Sequence, residues 1–140
     1  GNHPKDRMHQ CFDNIIIYSN SKKWRFDSSK IQIPKKTVNK GLNPSGRTTK
    51  TATAWIDDCK LTTTAKERVK KEDGHLIRWQ KPKSLLHRIF SPFVVKGDSI
   101  IDPFMGSGTS MEVAKELGCD GIGIEYDLEP FLLAKKRLFG

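Results

Sequence analysis

Near its carboxyl end the chain alternates twice between a short apolar run and a helical pattern. Residues 99–101 precede a glycine-containing loop, and the pattern from about residue 110 to 117 would bury Val113, Ala114 and Leu117. A second apolar run, 121–125, leads to another helical pattern with Pro130 in its first turn. Strand, helix, strand and helix at this spacing predict a parallel βαβ unit with a right-handed crossover. The predicted fold class is therefore α/β, as part of a Rossmann-like fold.

The loop "DPFMGSGTS", residues 102–110, would lie at the carboxyl end of the first of these strands. Ligands bind at this edge of open α/β sheets. Gly106 and Gly108 let the backbone approach a ligand closely. Asp102 can accept from an amine, and Glu125 ends the next strand, where an acid accepts the hydroxyls of a ribose. Together these residues predict a nucleoside site.

Two better-known glycine loops fit this stretch poorly. The third glycine of the dinucleotide pattern is missing, since Met111 follows, and no lysine stands before Thr109 as in a phosphate loop. An acid at the loop entrance suits a ligand that carries an amine, which favours S-adenosylmethionine. The alternative that these residues allow is a strand–turn–helix whose glycines are purely structural.

Residues 79–140 closely resemble the C-terminal part of the β-class amino-methyltransferases of DNA. The resemblance rests on three motifs in order, "QKPKSLLHRIF", "DPFMGSGTS" and "GIGIEYD", and "RMHQCFDNIIIYS" resembles the family's strand before its target-recognition region. It implies a Rossmann-like methyltransferase fold, S-adenosylmethionine as cofactor and double-stranded DNA as substrate, with adenine N6 favoured over cytosine N4. It also implies a restriction-modification context and a cytoplasmic location in a prokaryotic or phage setting.

By position, the resemblance assigns the cofactor contacts to three groups. Asp102, Phe104, Gly106, Gly108 and Thr109 would surround the methionine part and the ribose; Glu125, Tyr126 and Asp127 would bind the ribose and border the adenine; Lys81, Pro82 and Ser84 would close the other side. Lys81 has the alternative role of a solvated lysine at a helix start, and Phe104 that of a core residue.

The family's catalytic motif, an Asp, Asn or Ser followed by Pro-Pro and an aromatic residue, is absent from this sequence. That motif accepts the hydrogens of the target amine and stacks on the flipped base, which aligns the amine with the methyl group. We therefore expect no catalytic residue in this chain. The catalytic half would lie upstream or in a partner chain, and the isolated chain would transfer no methyl group.

The net charge of +9 is concentrated in the first 90 residues, which hold 20 Lys and Arg against 8 Asp and Glu. Such a basic region predicts contact with a polyanion. Within the family's target-recognition region, the expected DNA-binding residues are Lys22, Lys23, Trp24, Arg25, Lys35, Lys36 and Arg47. A solvated lysine-rich loop is the alternative.

The chain is expected to divide into a strand that ends the catalytic half (1–19), the basic recognition region (20–75) and the cofactor region (76–140). Local patterns predict a buried strand at 12–18, a short strand near Ile31–Ile33, one or two helical turns within 62–73, and an amphipathic helix from Pro82 that Pro92 stops. The spacing of histidines and cysteines predicts neither a metal site nor a disulfide framework, and no apolar run could span a membrane. A homodimer is also considered.

Two other classes of protein compete with the methyltransferase. A non-catalytic DNA-binding module would keep the basic region but have a degenerate nucleotide fold. The second alternative is that the chain is half of a nicotinamide-dependent oxidoreductase. The missing third glycine disfavours this alternative, and binding of NAD would support it.

Overall fold

A computed structural model describes residues 14–35, 46–54, 56–57, 59 and 66–140. In chain order its elements are a one-turn 3-10 helix (Ser28–Ile31), β1 (Gln32–Pro34), β2 (Thr49–Thr51), α1 (Lys83–Phe90), β3 (Ser99–Asp102), α2 (Thr109–Glu116), β4 (Asp120–Gly123) and α3 (Leu128–Phe139). Over these ranges, no helix combines the length and apolarity that a membrane crossing requires.

Strands β3 and β4 are parallel neighbours joined by α2, which confirms the predicted βαβ unit. Ile101 lies opposite Ile122 in the register, and Asp102 lies opposite Gly123. One face of this pair packs against α2 so closely that a Cβ on Gly121 would lie 2.9 Å from the sulfur of Met111. The carboxyl ends of both strands therefore reach the same edge of the sheet, where the loop after β3 begins.

The opposite face of the β3–β4 pair is uncovered. Ile101 and Ile122 lie side by side there and are 64% and 55% exposed, and Ile124 continues the same row. Parallel sheets in folded proteins have both faces covered, because their strands are apolar on both sides. This isoleucine face, defined by Ile101, Ile122 and Ile124, is therefore suited to contact with further protein.

The core lies between α2, the β3–β4 pair and α3. Its buried apolar residues are Met111, Val113, Ala114, Cys119 and Ala134. Gly108, at the start of α2, has a φ of +80°, and a Cβ there would lie 2.9 Å from that of Ala134. The small residue thus lets α3 pack directly against the start of α2. Gly118, with a φ of +70°, follows the end of α2 as its predicted stop.

An ion-pair network joins α1 to α2. Lys83 bonds Glu112 over 3.0 Å and also bonds Glu116, whose other oxygen lies 2.6 Å from His87 Nε2. Partial burial opposes the charge on Lys83, but the hydrogen bonds that its ammonium donates to Glu116 and Glu112 outweigh this effect and raise the lysine pKa. Burial opposes ionisation of Glu116 too, yet its bonds to Lys83 and His87 leave the pKa of this carboxyl lowered. The network therefore favours the charged forms of both groups and fixes the orientation of α1.

The start of the basic region packs on the turn between α1 and β3. Trp24 stacks on Phe93 with ring centroids 5.4 Å apart, and Phe26 lies 5.5 Å from the same ring. Arg25 forms an ion pair with Asp98, and Lys30 donates to the Val94 carbonyl over 2.8 Å. The pKa of Asp98 is lowered mainly by the hydrogen bond from the Val95 amide, and to a smaller extent by the bond from Arg25. Desolvation opposes this shift but does not cancel it. Residues 24–30 are thus attached to the cofactor region.

Two predicted elements are not found in the described residues. Residues 14–18 of the predicted buried strand form no strand and are exposed, because no described strand pairs with them; residues 12–13 lie outside the described ranges. Of the predicted helical turns within 62–73, residues 66–73 form turns and a bridge instead, and Gly74 permits the reversal with a φ of +83°; residues 62–65 lie outside the described ranges. The helix from Pro82 and the short strand near Ile31–Ile33 are confirmed, with small shifts of their ends.

Candidate functional site

A cleft of about 860 Å³ opens at the carboxyl ends of β3 and β4. This volume falls within the range of sites for small ligands and cofactors. The loop after β3, the start of α3 and the segment before α1 form its walls. The residues that line it include Asp102, Phe104, Met105, Gly106, Ser107, Thr109, Ser110, Glu125, Asp127, Lys81, and residues 75–80.

Asp102 is the last residue of β3, and two local bonds fix its carboxylate. Oδ1 accepts from the Phe104 amide over 2.9 Å, and Oδ2 accepts from the hydroxyl of Ser110. Each carboxylate oxygen can accept more than one hydrogen bond. Asp102 is thus held at the cleft with acceptor capacity left for a ligand amine.

Glu125 follows β4 and is fixed in a similar way. Its Oε2 accepts from the Gly106 amide over 2.9 Å, and its Oε1 accepts from the Asp127 amide over 2.9 Å. The first bond ties the carboxylate to the glycine loop, and the second ties it to the residue that precedes α3. Both carboxylates therefore border one shared hollow, with remaining lone pairs available to a ligand.

The two loop glycines serve different purposes. Gly106 has a φ of +55°, and an added Cβ would meet no atom within 4 Å, so its backbone faces open space at the cleft. Gly108 is buried against α3 and is not part of the cleft lining. Gly106 is therefore suited to close approach of a ligand, whereas Gly108 is required for helix packing.

The segment before α1 forms a wall of the cleft that sequence reasoning largely missed. Gln80 is buried; its Oε1 accepts from the Val69 amide over 2.8 Å, and its Nε2 donates to the Glu67 carbonyl over 2.6 Å. Trp79, next to it, lines the cleft with 82% of its surface exposed. The motif "QKP" predicted a cofactor contact in this region. Only the fold shows that Gln80 fixes the wall and that Trp79 lines the cleft.

The structure brings seven of the predicted cofactor residues together on the cleft lining. They are Lys81, Asp102, Phe104, Gly106, Thr109, Glu125 and Asp127. Phe104 is 87% exposed, so it does not have the alternative role of a core residue. Four others do not line the cleft: Gly108 and Pro82 are buried in packing, and Tyr126 and Ser84 face solvent.

The predicted DNA-binding residues lie in several environments. Lys22 and Lys23 are exposed, whereas Trp24 and Arg25 also take part in the contacts with Phe93 and Asp98. Lys35, which follows β1, is half-buried, and Arg47, which precedes β2, is exposed. Lys36 lies outside the described residues.

Comparison with known proteins gives one family over almost the whole chain. The family profile described as DNA methylase, named for N6 and N4 methyltransferases, matches residues 1–136. The type II methyltransferase M.HinfI of Haemophilus influenzae is 43% identical over 76 residues, which are 54% of this chain and 21% of that protein. The type II methyltransferase M.HpaI of Haemophilus parainfluenzae is 32% identical over 136 residues, 90% of this chain and 38% of that protein.

A solved structure, that of the M1.HpyAVI–SAM complex, is 44% identical to this chain with a TM-score of 0.43. The match covers 44% of this chain and 30% of that one. This chain spans between about a fifth and two fifths of the length of the curated relatives it matches.

Proposed function

Since this chain belongs to the N6/N4 DNA methylase family, we propose that it supplies the S-adenosylmethionine site of an enzyme that methylates the exocyclic amine of a DNA base. Adenine N6 is the proposed target, on the resemblance described above.

The observation that carries the proposal is the pair of fixed carboxylates at one cleft. S-adenosylmethionine combines a ribose, which offers two hydroxyl donors, with an amino acid, which offers an ammonium group. Glu125 and Asp102 both border the cleft, and each has spare acceptor capacity. A carboxylate at the loop entrance would repel the phosphates of a dinucleotide, so a zwitterionic nucleoside is the better match.

When bound, S-adenosylmethionine supplies an electrophilic methyl group on its sulfonium. The residues of this chain would hold the nucleoside and orient that group: Glu125 through the ribose hydroxyls, Asp102 through the ammonium, and the exposed ring of Phe104 at the cleft surface. Holding reactants in a productive geometry contributes a large part of the rate in such transfers.

The groups that align the target amine would come from other residues of the enzyme, since the sequence has no Pro-Pro. The isoleucine face supports this part of the proposal, because a parallel sheet requires cover that the described residues do not provide. The exposed run Ile15–Ile17 offers a second apolar segment of the same kind. We propose that the catalytic half, upstream or in another chain, packs against these surfaces; a second copy of the chain is the other occupant considered.

Titration calorimetry of the 140-residue chain tests the cofactor assignment. We expect binding of S-adenosylmethionine in the micromolar range and no binding of NAD, while an assay with labelled S-adenosylmethionine and duplex DNA gives no methyl transfer. Binding of NAD in place of S-adenosylmethionine would favour the oxidoreductase alternative. If the chain binds neither S-adenosylmethionine nor NAD, a non-catalytic DNA-binding module is favoured. Methyl transfer by the chain alone would contradict the proposal that the catalytic groups come from other residues of the enzyme.

The basic region is proposed to bind duplex DNA through phosphates. We expect the logarithm of the binding constant to fall linearly with the logarithm of salt concentration, with a slope reduced by about one when Lys22 or Lys23 is replaced by alanine. Lys135→Ala, which removes the same charge from exposed helix α3, is the matched control and should leave the slope unchanged. Fluorescence anisotropy with labelled duplex measures these slopes, and a slope near zero would contradict DNA binding.

A further inference from the structure

Residues 69–77 form a small hairpin, here the wall hairpin, beside the cleft. The Ile77 amide donates to the Val69 carbonyl over 3.1 Å, and the Lys71 amide donates to the His75 carbonyl over 2.8 Å. Its outer residues Lys71, Asp73 and His75 line the same cleft as the two carboxylates. The hairpin therefore borders the space that a bound nucleoside would occupy.

The two ends of the wall hairpin are anchored by neighbouring side chains. Gln80 accepts from the Val69 amide, and Arg68 donates to the Ile77 carbonyl over 3.1 Å. Its far end meets a different part of the fold: Lys71 Nζ lies 2.6 Å from Glu129 Oε2, although 58 residues separate the two. This ion pair connects the outer end of the wall hairpin to α3.

Glu129 lies in the first turn of α3, directly after the segment that carries Glu125 and Asp127. A negative charge is favoured at a helix N-terminus, so Glu129 is a stable partner for a lysine. The hydrogen bond to Glu129 is the main reason that the pKa of Lys71 is raised, so the ion pair favours the charged form of the lysine. The ion pair thus joins two cleft-lining residues, one on the wall hairpin and one on α3, four residues after the proposed ribose acceptor.

We propose that Lys71 and Glu129 are positioning residues that hold the wall hairpin closed beside the bound nucleoside and so slow its release. The inference rests on the proposed S-adenosylmethionine site. The pair is partly exposed, at 32% and 55% of the side-chain surfaces, so its effect is modest. Coupling between exposed charges of this kind corresponds to roughly a twofold to fivefold change in an equilibrium or rate.

Stopped-flow measurement of S-adenosylmethionine release from the 140-residue chain tests this role. Lys71→Ala and Glu129→Ala should each speed release about twofold to fivefold, and the double variant should add little to either single one. Lys71→Arg, and the exchange of charges in Lys71→Glu with Glu129→Lys, should restore slow release. High salt should remove the difference between the original chain and Lys71→Ala.

Two control variants remove charges from the same hairpin but leave the ion pair intact. Lys70→Ala and Glu72→Ala remove exposed charges next to Lys71 that do not line the cleft, and both should leave release unchanged. Amide hydrogen exchange without ligand gives a second measurement: Lys71→Ala should lower protection of the Lys71 and Ile77 amides while the β3–β4 amides keep theirs. These bonds are internal to the hairpin, so their protection reports its opening.

The outcomes separate this inference from the proposed function. Two results would overturn the positioning role alone. One is tight binding of S-adenosylmethionine with identical release rates in Lys71→Ala and Lys70→Ala, and the other is unchanged hydrogen exchange in the hairpin. A chain that binds no S-adenosylmethionine would overturn the proposed function and this role with it. Faster release in the Lys71 and Glu129 variants alone, with rescue by the exchange of charges, supports both.

Discussion

Replacement of Glu125 by alanine is expected to remove measurable binding of S-adenosylmethionine. The variant loses the proposed acceptor for the ribose hydroxyls and also the bonds that Glu125 accepts from the Gly106 and Asp127 amides. A hydrogen bond to a charged group contributes about 1.5–3 kcal/mol. Loss of about 3 kcal/mol weakens binding roughly 100-fold, which moves a micromolar dissociation constant beyond the reach of calorimetry.

Two further variants assign that loss to its cause. Glu125→Gln keeps the size of the side chain and one carbonyl acceptor, so it should bind more weakly than the original chain but better than Glu125→Ala. Glu72→Ala removes a carboxylate from an exposed position that does not line the cleft, and should bind normally. Equal affinity of the original chain and Glu125→Ala would contradict the assignment of the ribose contact.

Replacement of Gly108 by alanine is expected to give a large loss of stability. The backbone φ of +80° strains any residue with a Cβ by about 1–2 kcal/mol, and the new methyl group would lie 2.9 Å from the Cβ of Ala134. Overpacking of this kind costs a further 1–3 kcal/mol, roughly. The sum, about 2–5 kcal/mol, should lower the melting temperature by about 10 °C or more, as followed by circular dichroism.

Gly74→Ala separates strain from overpacking. Gly74 has a φ of +83°, but an added Cβ would meet nothing within 4 Å, so this variant should lose only the strain contribution. Combining Gly108→Ala with Ala134→Gly removes the closest contact, and the double variant should be more stable than the sum of the two single losses predicts. Equal melting temperatures of Gly108→Ala and Gly74→Ala would show that the helix contact has no effect.

The βαβ unit and the pair of carboxylates could be predicted because both depend on short segments. The alternation of apolar strand and amphipathic helix is local, and the ends of parallel neighbours must meet at one edge. The positions of Asp102 and Glu125 in the sequence are therefore sufficient to locate the cleft.

Other features depend on partners distant in sequence. The run Ile15–Ile17 has the composition of a buried strand, but a strand also needs a neighbour, and composition does not show whether one is present. The sequence of residues 62–73 predicts helical turns, whereas in its described part, from residue 66, a hairpin is stabilised by a bond that Gln80 accepts and one that Arg68 donates. Arg25 likewise could not be paired with Asp98, 73 residues away, from local pattern.

The side of the cleft proposed to bind the cofactor consists of one uninterrupted segment, from β3 to the residue before α3. The glycine loop, both carboxylates and the bonds between them fall within residues 99–127. Closing such short loops costs little chain entropy, so this segment can assemble early during folding. Once formed, it presents the isoleucine face as a surface on which later-arriving elements can pack, while further strands can add at the open edges of the β3–β4 pair.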